Sequence, residues 1–309
     1  MNTYKTTVAG GALLLLLANA CRSEDHMPID EGVLHVVTNN IHIGDGPSMK
    51  AIMEQGAHAV PFIMPYLQDD NAWTRESAAI LLGCLGDARA IPPLVKALMD
   101  QDRNVRRRSI VALEKITTAG PVRIDEAEMA GLVQCARGAD DQAHLAILIL
   151  GRVADPEYIP IVKEIFEDAT SQVAAGGGMA VIGNRKTDAC FKALARLGDP
   201  EARNRVRLLL QSQSAGDRAQ GIEIVSYVGK AMTDELIPLL TDQRDAADLW
   251  PSMPGTYFLR VCDLAADAIR EVYPLEMDSQ KRTRYTDDDL QALQKRLTDL
   301  NHPRDMNDE

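Results

Sequence analysis

The amino-acid sequence offers few residues at the spacing that an active site or a phosphate site needs. Many serine hydrolases carry their nucleophile in a G-x-S-x-G turn, and the sequence contains no such motif. The triple glycine Gly176–Gly178 lacks the G-K-[ST] ending and the preceding strand of a phosphate-binding loop. A Ser-His-Asp or Cys-His arrangement assembles in space, so the order of residues leaves it open. We therefore predict no catalytic residue and no cofactor.

Four of the five cysteines are predicted to be small buried side chains. Cys84, Cys135, Cys190 and Cys262 are widely spaced, and no C-x-x-C pair occurs. Such spacing suits neither a zinc site nor a disulfide framework. Each lies among apolar residues of a predicted helix, where a free cysteine behaves as a small hydrophobic residue.

The fifth cysteine, Cys21, follows a segment typical of exported proteins. Lys5 precedes an apolar run from Val8 to Leu17, and the small residues Ala18-Asn19-Ala20 come next. This order predicts a signal peptide over residues 1–20, and the run is shorter than the roughly 20 apolar residues that span a bilayer. The small residue before Cys21 resembles the lipobox of bacterial lipoproteins, which implies acylation of that cysteine. The alternative is an ordinary A-x-A cleavage site with an incidental cysteine.

The charge distribution argues against a nucleic-acid partner. The chain carries a formal net charge of −12, and an acidic protein repels phosphate backbones unless it has a concentrated basic face. Arginines cluster within residues 103–108 and 203–207, but acidic residues are interleaved and stacking aromatics are missing. We interpret both clusters as solvated helix faces with i,i+4 pairs, such as Asp102 with Arg106.

The elements that would position any site are helices, because one apolar pattern recurs along the chain. It is clearest around Ala78, a small residue that Leu82 and Leu85 follow at offsets of four and seven. These offsets lie on one face of an α-helix. The small position, here called the anchor, recurs at Ser109, Ala146, Cys190, Gly221 and Ala265. A small residue there lets a neighbouring helix approach closely, and a larger one would overpack the contact by ~1–3 kcal/mol.

A partner helix precedes each of these helices, and proline is favoured in its first turn. The prolines predicted to begin a partner helix are Pro61, Pro92, Pro160 and Pro238. The stretch from about Ala59 to Tyr273 resembles HEAT repeats, especially the short PBS-lyase HEAT-like kind. The resemblance implies an all-α fold: a right-handed α-solenoid of about six HEAT-like helix pairs, with an irregular N-terminal cap. It implies no single function, because this scaffold carries adaptors, lyases and hydroxylases alike.

The resemblance also allows a test for a metal centre. Di-iron hydroxylases built from HEAT repeats require His-Glu pairs on successive helices. None of the six histidines is followed by glutamate, so we predict no metal site of this kind.

Two insertions interrupt helix pairs, and we predict partner contacts on the edge where they emerge. One runs from Ala174 to Lys186 and the other from Thr241 to Phe258. Both separate the first and second helix of a pair, where insertions of solenoids often form the binding face and where aromatic residues make hot spots. The candidates for partner binding at this edge are Trp73, Trp250, Tyr257 and Phe258. The alternative is that the aromatic residues only hold the insertion against neighbouring helices.

These features divide the chain into four segments. We predict a signal peptide over 1–20, a linker and N-terminal cap over 21–58, the repeat solenoid over 59–275, and a polar C-terminal helix and tail over 276–309. We expect a non-enzymatic scaffold on the periplasmic side of a bacterial membrane, anchored by lipid at Cys21 and bound to a protein partner. A lyase-type or other enzyme on the same scaffold is the alternative, and a cytoplasmic adaptor would follow if the leader is misread.

Overall fold

The computed structural model describes residues 52–139, 142–175, 185–244, 260–273 and 284–301. The regular elements of these residues are α-helices and 3-10 helices, so the predicted all-α fold is confirmed. They form two compact units that meet in the sequence between Val153 and Ala154. The signal peptide, Cys21 and most of both predicted insertions lie outside the described residues.

The described part of the first unit consists of three helix pairs. A 3-10 helix at Gly56–Ala59, α1 (Val60–Ile63) and a 3-10 helix at Met64–Gln68 pair with α2 (Ala72–Leu85). The other two pairs are α3 (Ile91–Ala97) with α4 (Arg103–Ala119), and α5 (Glu126–Arg137) with α6 (Ala143–Val153). The second helices α2, α4 and α6 pack side by side in one layer, and the first helices pack in another.

The second unit repeats this arrangement among its described residues. Its pairs are α7 (Ile159–Ala175) with α8 (Arg185–Leu197), α9 (Pro200–Leu210) with α10 (Ala215–Val228), and a 3-10 helix at Thr233–Thr241 with α11 (Val261–Val272). A further helix, α12 (Asp287–Asn301), packs on the last pair. The two units therefore hold the six helix pairs predicted from the anchor pattern, while the right-handed winding stays a prediction.

Local turn chemistry fixes where the helices begin and end. The side chain of Asp102 accepts hydrogen bonds from the backbone N–H groups of Asn104 and Val105, which caps α4. Asp125 and Glu128 form a reciprocal capping box at the start of α5. At the other end of α2, Gly86 adopts a φ of 69°, a left-handed conformation that glycine reaches without steric cost.

Three of the four predicted prolines lie in the first turn of a helix, and the fourth does not. Pro61, Pro92 and Pro160 are each the second residue of their helix. Pro238 instead lies inside the 3-10 helix that begins at Thr233, so the prediction that a helix begins at Pro238 is wrong. The helix starts earlier because the chain already turns at Gly229, where φ is 77°.

The anchor pattern forms the cores of the two units. All six anchor residues are buried, and so are the aliphatic residues four positions after them. Three of the residues at the seventh position, Leu85, Val153 and Val272, are only half-buried at the ends of their helices. Close approach is also visible at Gly83, where an added Cβ would lie 2.7 Å from the Cα of Ala112 in α4.

The cysteine prediction holds for two residues and fails for one. Cys190 and Cys262 are buried, whereas Cys135 is half-buried and Cys84 is exposed. Cys190 is itself an anchor, and the offset of Cys262 from Ala265 keeps it near the apolar stripe. Cys84 lies six positions after the anchor Ala78, and this offset turns it away from the core.

The C-terminal helix α12, which was predicted to be polar, carries one apolar stripe among its polar residues. Leu290, Leu293 and Leu297 are buried at helical spacing, so the helix covers the end of the last pair. Tyr285, two residues before α12, is held in place by its backbone and by its side chain. Its backbone N–H donates to Asp263 at 3.0 Å, and its hydroxyl donates to Asp267 at 2.7 Å. Because α12 covers the last helix pair, the apolar end of that pair is not available for aggregation.

Candidate functional site

Arginines three residues before an anchor hold the turns within the helix pairs. Arg75, three residues before Ala78, donates from Nε and Nη2 to the carboxylate of Asp100 at 2.7 and 2.8 Å. Its Nη1 donates to the backbone oxygens of Asp69 and Asp70, in the turn before α2. One side chain therefore ties its own turn to the turn of the next pair.

The same arrangement recurs in the second unit. Arg218, three residues before Gly221, donates from Nη1 to Asp242 at 2.7 Å and from Nε to the backbone oxygen of Ser212 at 2.6 Å. Arg106 in the first unit occupies the corresponding position and donates to the backbone oxygens of Asp100 and Gln101. These three arginines are not among the residues predicted from the sequence, although aligning the repeats on their anchors places an arginine at the same offset in each of the three.

These turn carboxylates are held in their charged form. The guanidinium of Arg244 donates hydrogen bonds to Asp242 and, against the effect of burial, lowers the pKa of that carboxyl. Burial alone would raise the pKa of Asp100, but the hydrogen bonds from Arg75 and from the N–H of Asp102 outweigh it and the pKa is lowered. Charged, fully bonded carboxylates of this kind hold the turns together and are poorly suited to proton transfer.

A cavity of about 430 Å³ opens at this edge of the first unit. It lies between the turn that follows Leu67 and the turn that follows Ala97, and Arg75 and Asp100 form part of its wall. Met99, whose side chain is 46% exposed, stands at its rim. Among the polar groups of the cavity, Arg75 and Asp100 already bind each other across the two turns, and Gln68, Lys96 and Gln101 also line it.

Trp73 is the one predicted partner-binding residue that falls within the described residues. It is the second residue of α2, next to the intra-pair turn as predicted, and it is 55% exposed. Its backbone N–H donates to the side chain of Asn71, which caps the helix. Trp250, Tyr257, Phe258 and the lipidation candidate Cys21 lie outside the described residues.

The position of Trp73 on α2 links it to a larger surface. Ile80 lies seven residues after Trp73, which is two helical turns, so the two residues share one face of the helix. Ile80 is also two positions after the anchor Ala78, on the side of α2 opposite the core. The equivalent residues of α4 and α6 are Val111 and Leu148, and all three are half-buried.

Because α2, α4 and α6 pack side by side, these three aliphatic residues form a row across the layer. We call this row, together with Trp73 and the charged residues beside it, the outward face of the first unit. Two ion pairs between neighbouring helices frame the row. Arg108 binds Glu76 at 2.9 Å toward the helix starts, and Arg152 lies 3.8 Å from Glu114 toward the helix ends.

Two further cations flank the middle of the row. Arg107 and Lys115 are exposed, four residues before and four residues after Val111 on α4. Neither forms an ion pair with any residue in the described part of the chain. A second cavity of about 430 Å³ lies beside Lys115 and Arg152, lined also by Glu114, Thr118 and Ala119.

The second unit differs at the corresponding positions. Two residues after its anchors stand Lys192, Glu223 and Asp267 instead of aliphatic side chains. Lys192 and Glu223 bind each other at 2.5 Å, and Asp267 accepts the hydrogen bond from Tyr285. An apolar row with unpaired cations is therefore a property of the first unit. The sequence alone does not mark this difference, because the division into two units comes from the structure.

The described residues meet neither the requirement for a metal site nor the requirement for a membrane span. They contain no group of three or more His, Cys, Asp or Glu residues placed to hold a metal ion. None of the described helices combines the length and the hydropathy needed to cross a bilayer.

Comparison with known protein families gives a match within the first unit. A sequence profile described as HEAT repeats matches residues 60–143, which include α2 and α4 of the outward face but only the first residue of α6. This agrees with the resemblance seen in the sequence. No curated protein sequence matches the chain.

Several solved structures match the chain at low sequence identity and with low TM-scores. The complex of CpcE and CpcF of phycocyanin lyase from Nostoc sp. PCC7120 is 15% identical, covers 90% of this chain and 97% of that chain, and gives a TM-score of 0.46. An engineered protein is 16% identical, covers 94% and 79%, and gives 0.40. Human deoxyhypusine hydroxylase in complex with glycerol is 17% identical, covers 89% and 97%, and gives 0.29. With TM-scores this low, none of these similarities supports a conclusion about activity.

Proposed function

We propose that this repeat protein is a non-enzymatic scaffold whose first unit binds a protein partner through its outward face. The observation that carries the proposal is the alignment of the exposed Trp73 with the row that Ile80 begins. A half-exposed aliphatic row beside an exposed tryptophan provides apolar area that a partner can bury, at about 25 cal/mol per Å². Tryptophan is also among the residues most enriched in binding hot spots.

The test is crosslinking of the protein in intact envelopes, followed by recovery of the crosslinked partner. We expect Trp73→Ala to reduce recovery of the partner at least tenfold, because the outward face loses its exposed tryptophan side chain. Leu208→Ala is the matched control, since Leu208 is a 61% exposed apolar side chain in the second unit. Equal recovery with both variants would show that the outward face does not bind the partner.

We also propose that the protein is exported and held at the periplasmic side of a bacterial membrane by lipid on Cys21. The support is the leader of residues 1–20 and the small residue before that cysteine. Several acyl chains on one residue would give the stable anchoring that a single chain does not. Cys21→Ser is expected to move the protein from the membrane fraction to the soluble fraction, and unchanged fractionation contradicts the anchor.

A lyase-type or other enzyme on the same scaffold is the alternative proposal. An enzyme needs convergent polar groups that are able to exchange protons or form bonds, whereas the turn carboxylates described above are already bound by arginines. The two proposals predict different covalent masses for the isolated partner. A scaffold leaves the covalent mass of its partner unchanged, and intact mass spectrometry after incubation with the protein measures that mass.

A further inference from the structure

We infer that the outward face of the first unit binds an acidic amphipathic segment of its protein partner. In this arrangement the apolar side chains of the segment lie on Ile80, Val111 and Leu148, and its carboxylates bind Arg107 and Lys115. The inference deepens the proposed function and rests on it, because it names the chemistry of the partner.

The apolar side chains of the row are only partly buried. The three row residues lie on adjacent, directly packed helices, and each is covered only in part by its own unit. A partner that extends across α2, α4 and α6 would cover all three at once. A segment with apolar residues on one side only fits this surface, since the charged residues on both sides of the row remain in water.

The charged groups beside the row leave an excess of positive charge. The acidic groups beside the row, Glu76 and Glu114, are each engaged by an arginine of the neighbouring helix. Arg107 and Lys115 remain as surplus positive charges. The whole chain carries a net charge of −12, so a locally basic face selects for an acidic segment against the repulsion from the rest of the molecule.

The spacing of the cations further defines the segment. Arg107 and Lys115 lie eight residues apart on α4, which corresponds to about 12 Å at 1.5 Å per residue. Val111 lies midway between them on the same face. A helical segment that lies along the row, across α4, would therefore carry carboxylates on both sides of its apolar stripe, one side facing Arg107 and the other facing Lys115.

The experiment uses the full chain and two synthetic peptides as probes. Both peptides are capped amphipathic helices with the same apolar residues. One carries glutamate at the positions that flank the apolar stripe, and the other carries lysine there. Fluorescence anisotropy is expected to show that the glutamate peptide binds at least tenfold tighter than the lysine peptide. Its affinity is expected to fall as salt is raised, because exposed charges are screened.

Charge reversal on the protein provides the second arm. Lys115→Glu is expected to weaken binding of the glutamate peptide at least tenfold. Lys96→Glu is the matched control and should leave it unchanged, because Lys96 is an exposed lysine of α3 in the same unit. Circular dichroism checks that both variants fold, and the comparison of the two peptides on the unaltered chain does not depend on either variant.

Each outcome decides the inference. Equal affinity for the two peptides, preference for the lysine peptide, or binding of neither overturns it. If neither peptide binds while Trp73→Ala still loses the crosslinked partner, the acidic chemistry is wrong and the proposed function survives. If the glutamate peptide binds selectively while Trp73→Ala keeps the partner, the face is selective but the proposed function fails.

Discussion

Arg75 and Asp100 form a bidentate ion pair that joins the first helix pair to the second. The two hydrogen bonds measure 2.7 and 2.8 Å, and only 7% of the Arg75 side chain and 12% of the Asp100 side chain are exposed. A planar guanidinium matches both oxygens of a carboxylate, which lysine does not. The pair therefore fixes the distance between two turns that are 25 residues apart in the sequence.

Arg75→Ala is expected to destabilise the protein by ~3–5 kcal/mol, because the largely buried carboxylate of Asp100 and two backbone oxygens lose the hydrogen bonds that the guanidinium donates. The measurement is the urea midpoint of unfolding. Arg89→Ala is the control: Arg89 also binds an aspartate, Asp87, but its side chain is 53% exposed, so the loss should stay below ~1 kcal/mol. Equal losses would contradict a structural role for the Arg75 pair.

The carboxyl group of Asp242 gives a prediction for pH. The hydrogen bonds from Arg244 lower its pKa in the folded protein, so it stabilises the fold at pH values above the unfolded pKa of about 3.9. That contribution is lost as the pH falls from there through the folded pKa. Asp242→Asn is therefore expected to lower the melting temperature at pH 7, with a deficit that shrinks below about pH 4. A deficit of constant size across this range would contradict the assignment.

Gly83 tests the close approach of α2 to α4. An added Cβ would lie 2.7 Å from both the Cα and the Cβ of Ala112, so the backbone of one helix must move. Gly83→Ala is expected to destabilise by ~1–3 kcal/mol, despite the better helix propensity of alanine. Gly120→Ala is the control, since nothing lies within 4 Å of its added Cβ and its φ of 178° is open to any residue. A melting curve of Gly83→Ala that matches wild type would count against the packing.

The cysteines provide a chemical test of the fold. Burial raises the pKa of Cys190 to about 12, so its thiolate is scarce at pH 8, whereas Cys84 is exposed. Iodoacetamide at pH 8 is expected to label the peptide that contains Cys84 at least tenfold faster than the peptide that contains Cys190. Peptide mass spectrometry measures both rates, with Cys84→Ser as the control for assignment. Equal rates would show that the anchor position of α8 is open to solvent.

The sequence predicted the helix pairs well because their signal is local. The anchor Ala78, with Leu82 four positions later, already marks the buried face of α2, and both residues are fully buried. The same reasoning failed at Cys84, where apolar neighbours suggested burial but the helical offset points outward. It also failed at Pro238, because a turn at Gly229 started the helix before the proline.

The partner-binding candidates differ in whether the sequence alone could identify them. Trp73 could be singled out from the sequence because its type and its place at a turn are both visible there. Ile80, Val111 and Leu148 could not, since each reads as one more apolar residue of a helix. Only the packing of three helices makes them a row.

The sequence by itself determined the all-α class, the number of helix pairs and the residues that face the cores. Helical periodicity and close packing depend on residues a few positions apart, so the sequence of each repeat is enough to predict these properties. The tertiary structure decided which outward positions meet, including the bond between Arg75 and Asp100 and the row through Val111 between Arg107 and Lys115. Those relationships depend on how one pair is placed against the next, and that placement results from contacts between residues far apart in the chain.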